Sequence, residues 1–233
     1  MDSLMQKKRI VTEMFTESLM PIVLRFTLYT LVIFSFTASL PLIIQYGGIT
    51  VFKENGPIEC LQFGLLVGAS AIFFAGSFVV PVFRQLFLLL ASVSAFGAVR
   101  ELDALLDDMI PWIGWKIGLV IVLYAVGLAY VNRGILKWQT TEFISSRAFA
   151  MLWAGFVVAI PFSQLVGHGP FLQLMMGDDY ASAYKRVIEE SGELFGYFLL
   201  FVGSVESMIQ MKVVQLGNLA TSGREGHPTI GST

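Results

Sequence analysis

The chain has 233 residues, 55% of them hydrophobic and 14% charged, with a mean hydropathy of +0.72. Soluble domains carry about 25% charged residues, so the deficit points to a lipid environment, and a formal charge of −2 excludes the basic footprint of a nucleic-acid-binding protein. The lone cysteine, Cys60, excludes an internal disulfide or a cysteine-held metal cluster, and two histidines, His168 and His227, argue against a haem held by paired histidines.

A membrane-spanning helix needs about 20 mostly apolar residues, with a working range of about 17–25. Segments near 22–45, 58–80, 84–106, 111–131, 148–167 and 194–212 meet that length. The expected fold is all-α: a polytopic transmembrane helical bundle of six spans, with 21–213 as one domain. Ahead of it, residues 1–20 place Leu4, Val11, Met14, Phe15 and Leu19 in a loose helical stripe, which suits a cytoplasmic interfacial helix. "QKKR" resembles the charged start of a signal peptide, but the apolar run after it is longer than a signal core, so the reading is an uncleaved first span. The tail, 214–233, is rich in Gly, Ser and Thr and reads as disordered and cytoplasmic.

The second span opens with "ENGPIE", where Pro57 fits the first helical position and Glu59 the third. Gln62 lies one turn further on. In the third span the uninterrupted apolar run, Leu86 to Val99, rises about 21 Å at 1.5 Å per residue, short of a hydrocarbon core about 30 Å thick. The helix is therefore expected to continue through Arg100, Glu101 and Asp103 to 106. Arg100 and Asp103, three residues apart, can pair on one face, with Asp107 continuing that stripe, while Glu101 points about 100° round toward another helix. The rival expectation is a helix that ends early and leaves its acids in water. These acids sit at a helix C-terminus, where the macrodipole opposes them, so helix capping does not explain them.

Pro161 predicts a kink in the fifth span. "DDYASAYKRVIEE" predicts an amphipathic helix on the outer surface, separate from the sixth span, and "EESGELFG" brings Glu193 to the start of that span. Glu206 falls near the far edge, solvated or paired with Lys212. Three Gly-x-x-x-Gly pairs, at 64/68, 114/118 and 192/196, offer close helix approach.

Basic residues favour cytoplasmic loops. With the N-terminus inside, ten of the 15 Lys and Arg lie inside, and only Lys53, Arg100, Lys116, Lys185 and Arg186 lie outside. Eleven of the 17 acids fall outside, so the outer face is acidic. The expectation is a multi-pass protein of the inner or plasma membrane with both termini cytoplasmic. An outward polar pocket of Glu59, Gln62, Arg100, Glu101, Asp103 and Glu193 would bind a cation or cationic ligand, as in a small transporter, channel-like or accessory protein. No cofactor is required. The second reading is a membrane enzyme acting on a lipid or lipid-linked phosphate, with Asp103, Asp107, Asp108 and His168 holding a divalent metal. The third is a structural subunit, with a membrane-protein partner or further copies of itself, whose surface acids Asp178, Asp179, Glu189 and Glu190 would meet a basic partner.

Overall fold

The computed structural model describes residues 2–53, 56–103, 106–107 and 114–225, with side chains described from 20 to 216 apart from 114 and 115. The described residues are helical throughout, joined by turns, with no strand among them. The principal helices are α1 (Asp2–Gly47), α2 (Pro57–Val79), α3 (Arg84–Glu101), α4 (Gly118–Val131), α5 (Arg133–Ile144), α6 (Arg147–Val166), α7 (Gly169–Met176) and α8 (Ser182–Glu225). Five segments are long and apolar enough to cross a membrane: Met20–Gly47, Pro57–Val79, Pro81–Glu101, Arg147–Val166 and Ser182–Leu216. The pair α4 and α5 makes a sixth only if taken together, and it is bent by 97°. The helices thus accord with a multi-pass membrane protein.

The chain forms two compact units, Met1–Gly48 and Ile49–Thr233. The first is the single helix α1. It stops where Gly48 takes a φ of +66°, and the Gly48 N–H closes the last turn onto the Ile44 carbonyl at 2.9 Å. A left-handed glycine is a common helix terminator because it carries no Cβ penalty.

In the second unit α2 packs against α3 on one side and α8 on the other, and α8 packs against α6. Gly196 makes the last contact possible: a Cβ there would overlap the backbone of Ala159. Gly192 on the same face meets Ser163, so the 192/196 pair works as a packing device. Gly64, by contrast, faces open space. Ala159 lies in a π-helical turn, Val158–Phe162, around Pro161, whose missing N–H cannot continue the ordinary ladder. The apolar core, with Phe73, Phe83, Phe87, Phe143, Ala148, Leu152 and Met211, occupies one end of this unit. Outward-facing Leu123, Val126, Phe74 and Phe78 are well exposed, an apolar exterior suited to lipid.

Three expectations are corrected here. The third helix does not run unbroken to 106: α3 ends at Glu101, where the Leu102 N–H turns back to Val99 at 3.2 Å, and helical structure resumes at 103 and 106–107, with the Leu106 N–H on the Leu102 carbonyl at 2.8 Å. The fourth span, expected over 111–131, ends at Val131 as expected, where the Asn132 side chain donates to the Leu128 carbonyl at 3.0 Å, but it opens with a 3-10 turn over Gly114–Ile117 and is α-helical only from Gly118, residues 111–113 lying outside the described residues. The segment after Asp179 is not a separate surface helix but the opening turns of α8, which then runs unbroken to Glu225, past 214 where an unstructured tail is expected.

Candidate functional site

A cleft of about 710 Å³ lies in the second unit, with α2 and α8 as its floor and α3 and α6 as its walls. That volume falls within the range of about 300–1,000 Å³ common for small-molecule sites. One end is polar. There α2 contributes Glu59, the end of α3 contributes Arg100 and Glu101, the segment just after it Asp103, and α8 contributes Glu190, Glu193 and Tyr197.

These side chains are tied to one another across helices. Arg100 Nη1 stands 3.0 Å from Asp103 Oδ2, the pair expected from their spacing, and both side chains are partly exposed. Glu101 turns away from that pair toward α8, where Tyr197 Oη donates to its Oε1 at 2.8 Å. Gln164 on α6 donates through Nε2 to Glu189 at 2.8 Å and to Glu193 at 3.1 Å. Beneath them Gln62 is fully buried, and its Nε2 donates to the Glu190 carboxylate at 3.0 Å and to the Glu190 backbone oxygen at 3.2 Å. Its Oε1, equally buried, has no hydrogen-bond partner among the described residues.

Five carboxylates therefore share one end of the cleft, and Arg100 is the one basic side chain among the described residues that line it. Glu59, Glu190 and Asp103 stand close enough to Glu101 to repel it, and Glu193 is repelled by Glu101, Glu190 and Glu189. Half-buried like charges are costly to hold together without a counter-charge, because the interior screens them less than water does. Part of this charge is offset from α8 itself, where Lys185 stands 3.8 Å from Glu189 and Arg186 acts on Glu190.

The rest of the cleft is apolar. Phe143, Phe149, Trp153 and Phe156 form a continuous ring ladder on the α5–α6 side, with centroids 5.9, 6.0 and 5.5 Å apart in turn. Val93 and Leu90 face it from α3. Trp153 is 56% exposed and Val93 59%, so the wall between α3 and α6 is open at the side of the bundle. A second groove of about 580 Å³ between α2, α3 and α4 has Ser70, Ser92 and Tyr124 as its polar residues and no charged lining.

Of the residues singled out from the sequence, Glu59, Arg100, Glu101, Asp103 and Glu193 line the cleft, and Gln62 lies just under it. Glu190 was grouped with surface acids, yet it lines the cleft, because α8 is continuous and turns residues 190, 193 and 197 to one face. That i, i+3, i+7 spacing was the available signal. Asp107 is exposed and outside the cleft lining, His168 precedes the short helix α7 and is exposed, and Asp108 lies outside the described residues. Among the described residues no three His, Cys, Asp or Glu side chains stand together as a metal-holding group. Glu206 is not solvated: it is fully buried and accepts a hydrogen bond from Gln210. The chain matches no protein-family model, no curated protein and no solved structure.

Proposed function

We propose that this chain is a six-span protein of the inner or plasma membrane, both termini cytoplasmic, whose outward-facing cleft binds a cationic ligand. It would act as a small transporter, a channel-like protein or the ligand-sensing part of a membrane assembly. The orientation is supported by the ten-to-five division of Lys and Arg. The ligand class is supported by one observation above the others: five carboxylates from three helices converge on one cleft end whose described lining holds a single arginine, already paired with Asp103. Ionisable groups inside membrane helices are expensive and tend to mark ligand or ion paths.

Thiol accessibility in intact cells tests this reading. In a Cys60→Ser background, Glu59→Cys, Glu101→Cys and Glu193→Cys are each challenged with a membrane-impermeant thiol reagent. Labelling from outside, slowed by millimolar tetraethylammonium or butylammonium at the positions that keep the other acids, is the expected result. Labelling from the cytoplasmic side only would overturn the orientation, and labelling that no cation slows would make these acids an ordinary wet surface.

A further inference from the structure

We infer that the cleft's ligand is an amphiphile: a primary ammonium head carried on an apolar chain, with the head among the carboxylates and the chain along the aromatic ladder. This deepens the cationic-ligand reading and rests on it.

The argument begins with the shape of the cleft. Its lining on α8 runs from Glu190 to Leu200, and on α6 from Phe149 to Ile160. At 1.5 Å per residue each wall is about 15 Å long. An inorganic cation or a small amine would occupy only the acidic end and leave the ladder of Phe149, Trp153 and Phe156 unfilled. An apolar chain fills it and removes apolar surface from water, which is favourable in proportion to the area covered.

The head group follows from the donor and acceptor inventory. Tyr197, Gln62 and Gln164 already spend their donors on Glu101, Glu190, Glu189 and Glu193. Acceptors remain in excess, with five carboxylates in the lining against one arginine, and beneath them the fully buried Gln62, whose Nε2 donates to Glu190, keeps a carbonyl oxygen with no partner among the described residues. A buried acceptor without a donor is destabilising. A primary ammonium supplies three N–H donors together with positive charge, whereas a quaternary head supplies charge alone. The entry route follows from the side opening: Val93 and Trp153 are exposed where the α3–α6 wall parts, so a chain can enter sideways from an apolar phase while its head meets the acids.

The test uses terminally brominated undecylammonium and the full chain purified in a neutral maltoside detergent. Bromine quenches indole fluorescence on contact, and the quenching that Trp153→Phe removes is the signal from the ladder. The expected result is saturable quenching by this probe at roughly tenfold lower concentration than by brominated undecanoate, the same chain with an anionic head. The double variant Glu101→Gln with Glu193→Gln should weaken the ammonium probe by roughly tenfold or more and leave the undecanoate unchanged or improved. Butylammonium, a head without a chain, should displace the probe only at far higher concentration.

Equal displacement by butylammonium would overturn the amphiphile and leave the cationic reading standing. Equal quenching by undecanoate would overturn both, and it is read in the unaltered protein, so it does not depend on the variants folding. Quenching that Trp153→Phe does not reduce would place the chain elsewhere and overturn the inference. Short-chain phosphatidylethanolamine mixed into the micelles identifies the source. Displacement puts the ammonium on a membrane lipid, and its absence puts it on a free amphiphile; both uphold the chemistry.

Discussion

Each end of the second unit buries a glutamine completely, and the two are treated differently. At the core end Gln139 accepts from the Leu86 N–H at 2.9 Å and donates to the Val82 carbonyl at 2.7 Å and to Gln85 at 3.3 Å. It closes the orphan N–H of the first turn of α3, a group no residue of that helix can reach. Nearby, Gln210 joins Glu206 to the Ala148 N–H, which opens α6. At the acidic end Gln62 is as deeply buried, but its carbonyl oxygen is unsatisfied among the described residues and its neighbours are carboxylates. Polar groups at the first end are closed on one another and hold helices together. Those at the second gather under and around a cleft, and one of them, the Gln62 carbonyl oxygen, stays unsatisfied among the described residues.

The largest effect that would sharpen this contrast is expected from Gln139→Leu. It strands a backbone donor and a backbone acceptor, and at about 1–3 kcal/mol for each unsatisfied group the loss should be about 2–6 kcal/mol. The unfolding midpoint followed by circular dichroism in neutral detergent reads it. The same substitution at Gln62 removes hydrogen bonds to Glu190 but also an orphan oxygen, so the net change should be about 1 kcal/mol or less. Similar losses at both positions would erase the distinction between the two ends. The smallest effect belongs to the rim. Arg100→Gln combined with Asp103→Asn breaks a pair whose side chains are 48% and 38% exposed. Such pairs contribute about 0.2–1 kcal/mol, and the difference should fade in high salt as screening removes it. A larger, salt-insensitive loss would mean that the pair is buried by something that covers the cleft mouth.

Much of this was readable from the chain. Apolar length placed α2 and α6 to within a residue or two, because nothing competes with a long apolar run for helix. The turn of Glu101 toward another helix and the Arg100–Asp103 pair are both suggested by sequence spacing, although the pair closes across the turn at Leu102 rather than along a continuous helix. Less legible were the breaks. Nothing in "VNRG" fixes a 97° bend at Asn132, which depends on α5 folding back so that Gln139 reaches α3. By itself "YKRVIEE" looks amphipathic and puts Glu190 on a surface, and its place in the cleft lining depends on α8 having no break between Ser182 and Glu193. Gln139 and Gln210 carried no sequence signal. Their importance lies in which backbone groups they reach, and partner geometry of that kind is a tertiary property.

That unbroken α8 has a structural consequence. It touches α6 at successive levels, Gly192 on Ser163, Gly196 on Ala159 and Gly203 on Leu152. Glu190 and Gln210 lie twenty residues apart on it, about 30 Å at 1.5 Å per residue. One continuous helix therefore carries both the acids that line the cleft and the glutamine that closes the first turn of α6.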